Sequence, residues 1–378
     1  MNLDRRSFLG LALLGAVMPK RILAAAERLP VLDRRMLQMN AYATDAETPL
    51  DALTTYLTPN DLFFVRSHWI PVMPDPATWA LTVDGEVTTP LRLSLTELKG
   101  MPKTTATCVL QCAGNGRALY RPIVPGVQWK YGAVGNARWT GVRVKDVLER
   151  AGVRGTGRHL HTYGTDTPPG KVPPFHRSVE MEKVMSEGII AYEMNGEPLP
   201  ALHGGPARLV VPGWAGDHWM KWVARLSPQP QPQTGFYVDV AYRYPNEPGE
   251  PGVPKKPDEM HPVTELFVKS NITQAPSKVR MGSTAKIRGF ALSGAPDIAN
   301  VELGTDGERW EPARLLPDHD PYAWRLWEYE WRPAHPGANT LFVRATDSKG
   351  SVQPREPVWN QSGYLYNGWH SVTIEVTA

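Results

Sequence analysis

Short apolar runs bounded by turn-forming residues predict strands at Leu62-Phe-Phe-Val-Arg, Ala80-Leu-Thr-Val-Asp-Gly and Arg208-Leu-Val-Val-Pro. They alternate with stretches of helical spacing such as Val144-Lys-Asp-Val-Leu-Glu-Arg-Ala-Gly, so residues 40–244 are expected to form a mixed α+β domain. Its notable motifs fall where strands end in glycine-rich loops, the usual place for a site on a rigid scaffold. From Tyr244 the pattern breaks into Tyr-Pro-Asn-Glu-Pro-Gly-Glu-Pro-Gly-Val-Pro-Lys-Lys-Pro, and residues 245–261 are expected to be an interdomain linker. Beyond it β-branched runs recur at Thr284 to Phe290, Ala299 to Leu303, Trp324 to Trp331, Thr340 to Thr346 and Ser371 to Val376. Turn sequences such as Asp306-Gly307 and Asp347-Ser348-Lys349-Gly350 separate them. That spacing predicts an immunoglobulin-like β-sandwich of about seven strands over residues 262–378.

Composition supports two cores rather than a stapled scaffold: the chain has 378 residues, and its 37 prolines and 33 glycines are spread among apolar runs and 13 tryptophans. Residues 1–26 read as an export signal. Asp4-Arg5-Arg6-Ser7-Phe8-Leu9 precedes an apolar stretch, Leu11 to Met18, too short to anchor in a bilayer, and the run Ala24-Ala25-Ala26 follows. The paired arginines resemble a twin-arginine signal, a route that carries proteins folded around a cofactor, so the periplasm is the expected location. Four basic residues against one acidic residue in this segment account for the whole net charge of +3. The remainder is near neutral and has no basic block, which disfavours nucleic acid and anionic membrane as partners. No membrane anchor is expected either.

Cys108 and Cys112 are the only cysteines. They exclude a disulfide framework, and their spacing matches neither haem attachment nor a zinc or iron–sulfur site. No haem and no flavin are therefore expected on this chain. In Thr107-Cys-Val-Leu-Gln-Cys-Ala-Gly-Asn-Gly-Arg117 an apolar strand delivers Cys112 to a small turn, where its sulfur can face a group that the backbone approaches closely. Cys108, within the apolar run, reads as packing.

The string Cys112-Ala-Gly-Asn-Gly-Arg117 resembles the sulfite oxidase family, whose Cys-Ala-Gly-Asn-x-Arg motif supplies the single thiolate to molybdenum. Other segments follow in the family's order: Phe63-Phe-Val-Arg66-Ser-His68, Gly126-Val-Gln-Trp129, Tyr192-Glu-Met-Asn-Gly, His203-Gly-Gly-Pro-Ala-Arg208 and Met220-Lys221-Trp222. In the second half Asp306-Gly307, Trp359-Asn360 and Gly363-Tyr364 are similar to its dimerisation domain. The resemblance implies a molybdenum–molybdopterin cofactor on Cys112, with Phe64, Arg66, His68, Asp166, His203, Arg208, Met220 and Lys221 as cofactor contacts. It also implies Arg66, Arg117, Trp129 and Tyr242 as catalytic residues, with Tyr237 and Tyr244 as alternatives to Tyr242. The implied activity is oxidation of sulfite to sulfate by a homodimer that passes electrons to a soluble c-type cytochrome. The residue types suit this chemistry: a thiolate is a strong soft donor, and guanidinium groups match compact oxyanions and phosphates.

Two departures from the family's pattern imply a less positive anion pocket. Gly116 stands where many members have a second arginine, and Ser371 stands where vertebrate-type members carry a pocket arginine. They keep open a sulfane dehydrogenase-like subunit acting on carrier-bound sulfur. A non-catalytic periplasmic binding protein is the alternative of another class.

Overall fold

The computed structural model describes residues 32–40, 45–71 and 73–378. The expected export signal over residues 1–26 lies outside them. The first half is richer in strands and poorer in helix than an α+β reading implies. Its only α-helices among the described residues are α1 (Leu95–Lys99), α2 (Val144–Ala151) and α3 (Met181–Glu187). Helix α2 forms where the sequence predicts it, burying Val144, Val147, Leu148 and Ala151 along one face. It stops at Gly152, whose φ of 67° suits a residue without Cβ.

Three sheets build this half. The smallest joins β1 (Leu37–Gln38), β2 (Asp45–Glu47) and β3 (Val65–Arg66). One five-stranded sheet runs in the order β5 (Leu91–Ser94), β4 (Ala80–Val83), β13 (Val223–Gln229), β8 (His159–Gly164), β9 (His176–Glu180). The other runs β11 (Glu197–Pro198), β10 (Ile189–Met194), β7 (Val134–Arg143), β6 (Lys103–Gln111), with β12 (Arg208–Val210) also pairing β10. Strands β7, β10 and β12 are buried on both faces and read as apolar runs, whereas β4, β8 and β9 alternate between buried and partly exposed positions. Strands β6 and β7 pair antiparallel from Lys103↔Val142 to Gln111↔Val134. The outer end of β6 is exposed and its inner end buried, so the strand carries the chain directly into the core at Cys112.

The second half is a two-sheet sandwich. A four-stranded sheet containing Lys269–Gln274, Ala285–Leu292 and Arg325–Trp331 faces a five-stranded sheet containing Ile298–Gly304, Gly337–Asp347 and His370–Thr377. Ile287, Trp327, Val301, Val343 and Ile374 share the core between the sheets. All five predicted runs fall on these strands, and shorter edge strands bring the number to nine.

The proline-rich segment is not a free tether. Arg243–Pro245 pairs antiparallel with Met260–Pro262, so residues 246–259 form the loop of a long hairpin. Lys255 N–H donates to Gln361 Oε1 at 2.6 Å, fixing that loop to the second half. A further apolar cluster spans the halves, joining Val109, Ala113 and Val134 to Phe290, Trp324, Tyr364 and Leu365. The N–H of Leu365 donates to the carbonyl of Ala113 at 2.8 Å, one residue beyond Cys112.

Candidate active site

Cys112 sits at the mouth of β6 on a braced turn. Its N–H donates to Ala133 O, and Asn115 N–H returns to the Cys112 carbonyl, both at 2.9 Å. The Asn115 side chain bridges the turn, donating to Gln111 Oε1 at 3.2 Å and accepting from Ala133 N–H at 3.1 Å. Gly116 follows with φ 93°, and a Cβ there would lie 2.6 Å from the Tyr366 side chain. Burial pushes the Cys112 thiol up, while the nearby guanidinium groups of Arg66 and Arg117 pull it down.

Cys112 lines a partly open cavity whose empty space, its mouth included, is ≈ 730 Å³. Its wall includes Phe64, Arg66 and His68 from β3 and the residues on either side of it, Asp166 after β8, and His203 before β12. It also includes Arg208, Met220, Lys221 and Tyr242. Ten of the predicted residues thus converge on one volume.

Arg66 is held by Asp45, its register partner across β2 and β3, with Nη1 3.1 Å from Oδ1. His68 Nε2 lies 2.9 Å from the Tyr242 hydroxyl, and its ring stacks on Phe175 at 4.4 Å. Burial and the charges of Arg66 and Lys221 push the His68 imidazole well below its usual value, leaving it neutral.

Arg208, Lys221 and His203 also meet on the wall, and among the described residues no carboxylate lies within ion-pair distance of Arg208 or Lys221, although Asp166 and Asp45 act on Lys221 from farther off. Arg208 donates to the carbonyls of His203 (2.8 Å) and Trp219 (3.2 Å), yet its buried Nε has no partner. Burial lowers its guanidinium to about 9. Lys221 Nζ donates to Ser67 Oγ at 2.7 Å and is pulled down to about 7 by burial and by Arg208. His203 is lowered to about 4 by burial, and its Nε2 donates to Asn60 O at 3.0 Å. A buried guanidinium with an unpaired Nε, beside an open volume, fits an anionic guest. A pterin phosphate answers that requirement, and Cys112 offers one thiolate. Among the described residues no three His, Cys, Asp or Glu side chains form a metal cage. A metal here therefore depends on ligands brought by its own cofactor, and the residues present fit such a group.

Two predicted catalytic residues stand apart from this wall. Arg117 turns away after Gly116, donating from Nε to Ser362 O at 2.8 Å and from Nη1 to Val127 O at 3.0 Å. Trp129 is wholly buried and does not line the cavity. Ser371 is exposed on a strand of the second half and is not among the residues of the cavity wall. Cys108 is sealed in the core and its thiol is pushed up by burial, in keeping with a packing role. Tyr242, not Tyr237 or Tyr244, is the tyrosine on the wall.

Asp217 and Phe175 also line the cavity, and sequence reasoning missed both. Asp217 could have been noticed, because it stands three residues before Met220-Lys221. Asp45 carried no signal.

A two-domain arrangement, with a thiolate and an anion-binding wall in one half and a sandwich in the other, defines the class of molybdopterin-binding oxidoreductases. Residues 67–237 match the oxidoreductase molybdopterin binding domain, and residues 260–377 match the Mo-co oxidoreductase dimerisation domain. The chain is 36% identical over 362 residues to the mitochondrial sulfite oxidase of Homo sapiens, covering 88% of this chain and 64% of that protein. It is 35% identical to the sulfite oxidase of Gallus gallus, covering 86% of this chain and 75% of that one. The sulfane dehydrogenase SoxCD of Paracoccus pantotrophus superposes with a TM-score of 0.76 at 30% identity, over 87% of this chain and 84% of its own. The chain belongs to the sulfite oxidase family.

Proposed function

We propose that this protein oxidises sulfite to sulfate at a molybdenum–molybdopterin cofactor held by Cys112. The observation that carries the reading is the cavity itself, whose wall brings the Cys112 sulfur together with Arg66, Lys221 and an Arg208 whose buried Nε is unpaired. His203, Arg208 and Lys221 would hold the pterin phosphate, and Phe64, Asp166 and Met220 would line its bed. When bound, the cofactor supplies the two-electron oxygen-atom transfer chemistry. Water provides the oxygen, and each turnover releases two protons and two electrons.

The protein's own part is positioning and charge. Arg66, anchored by Asp45, presents a fixed guanidinium to the substrate oxyanion. Tyr242, tied to neutral His68, adds an uncharged polar group to the same volume. Arg117 and Trp129 act from behind the Cys112 turn rather than by touching substrate. A c-type cytochrome is proposed as acceptor and a homodimer as the assembly, the latter supported by the match to a dimerisation domain. The Arg5-Arg6 pattern supports periplasmic export.

Oxidation of carrier-bound sulfane sulfur is a second reading. It is favoured by the similarity to SoxCD. Anaerobic incubation of the molybdenum-loaded protein with free sulfite or with a carrier-bound sulfane, followed by cytochrome c reduction and product analysis, tests both. Sulfate formed from free sulfite at two reduced cytochromes per turnover is expected. Electron release only from the carrier-bound substrate would replace the first reading with the second.

A further inference from the structure

Tyr242 is a bulky residue in the left-handed region, with φ 56°. That conformation costs on the order of 1–3 kcal/mol and persists only where the surroundings over-determine it. One constraint is the ring of Tyr364, stacked at 5.3 Å and 10°. Another is the guanidinium of Arg177, which lies 5.2 Å from the Tyr242 ring centroid. Arg177 is 1% exposed, on the edge strand β9, and lines no part of the cavity. Its Nη1 donates to the carbonyl of Tyr237, so it grips the 236–242 segment at two points. Its Nη2 is fixed 2.8 Å from Asp217 Oδ2, in a pair whose side chains are 2% and 0% exposed. A buried ion pair is poor value as a stabiliser, because desolvation offsets its attraction; an apolar pair of similar volume is often as stable. What the pair does supply is a fixed place for a planar cation.

We infer that Arg177 is a positioning residue: anchored by Asp217, it holds residues 236–242 so that the Tyr242 hydroxyl stays in the cavity wall beside His68. The inference rests on the proposed function for the part Tyr242 plays with substrate, whereas the anchoring itself does not.

The test is hydrogen exchange of the holoenzyme, read together with kinetics. The amides of Val238 and Asp239 donate to Gly235 O and that of Ala241 to Phe236 O, so they report the segment. In the double variant Arg177→Met with Asp217→Leu, these amides are expected to exchange about tenfold faster or more while the melting temperature stays within a few degrees of the parent. KM for sulfite is expected to rise with the loosened Tyr242, and Arg177→Lys is expected to restore less than half of the protection. Asp217→Asn, which keeps the shape of the anchor and removes its charge, is the second arm should the double variant not fold, and it is expected to shift the same amides. Unchanged exchange over 236–242 in whichever variant folds would overturn the inference. Faster exchange with unaltered sulfite kinetics would uphold the anchoring and count instead against the part given to Tyr242.

Discussion

Asp45 Oδ1 accepts from Arg66 Nη1 at 3.1 Å and from the N–H of Ser67 at 3.2 Å, so a carboxylate on β2 sets the direction of a guanidinium in the cavity wall. Asp45 is 3% exposed. Asp45→Asn keeps the shape and removes the charge, leaving Arg66 free to swing. KM for sulfite is expected to rise about tenfold, equivalent to ~1.4 kcal/mol, with a smaller fall in kcat. Steady-state kinetics check it; an unchanged KM would show that Arg66 needs no anchor.

The two cysteines are expected to separate cleanly. Cys112→Ser lowers turnover about a thousandfold or more, corresponding to ~4 kcal/mol of barrier. Cys108→Ser leaves turnover intact but destabilises the fold by about 1–3 kcal/mol, because it places a hydroxyl in an apolar core. Molybdenum content, sulfite turnover and denaturant unfolding of the two variants give the comparison. Full activity in Cys112→Ser would remove the basis of the cofactor assignment.

Gly132 packs against the end of β2 and the residue after it. A Cβ there would lie 1.7 Å from the carbonyl oxygen of Thr48, and its N–H is one of two that donate to Glu47 Oε2. Gly132→Ala is expected to destabilise the protein by about 1–3 kcal/mol by overpacking. Urea unfolding measures this, and β2 is expected to lose exchange protection first.

His370 offers a pH prediction remote from the cavity. Burial, aided by Lys269, lowers its imidazole from 6.5 to about 4, and its Nδ1 accepts from Ile272 N–H at 3.2 Å. The unfolded chain therefore binds a proton at a pH where the folded chain does not. Stability owed to this residue is full above pH 6.5 and falls between 6.5 and 4 at about 1.4 kcal/mol per pH unit. Below 4 both states are protonated and the loss is complete. His370→Asn is expected to flatten that slope, as followed by chemical unfolding across the range.

The cavity wall was largely readable through the family resemblance, whose motifs are short strings in this sequence: Arg66 and His68 two apart, His203 and Arg208 five apart, Met220 beside Lys221. The predicted strands of the sandwich were readable because turn chemistry brackets each run. Asp45 and Arg177 were not, because each acts through a partner in another segment, and no local spacing marks a carboxylate that will face an arginine 21 residues on. Arg117 follows the left-handed Gly116 and is bonded to Ser362 O and Val127 O off the cavity wall, a placement that residue order alone does not reveal. The proline-rich segment looked like a tether by composition, and only strand pairing across it showed a hairpin.

The clasp between Leu365 and Ala113 ties the peptide after Cys112 to a residue near the far end of the chain. A lesion in the last few dozen residues is therefore expected to surface as poor cofactor retention, although Leu365 is not part of the cavity wall. Grafting the first half alone onto another scaffold, as a redox cassette, would leave the cysteine turn without its keeper.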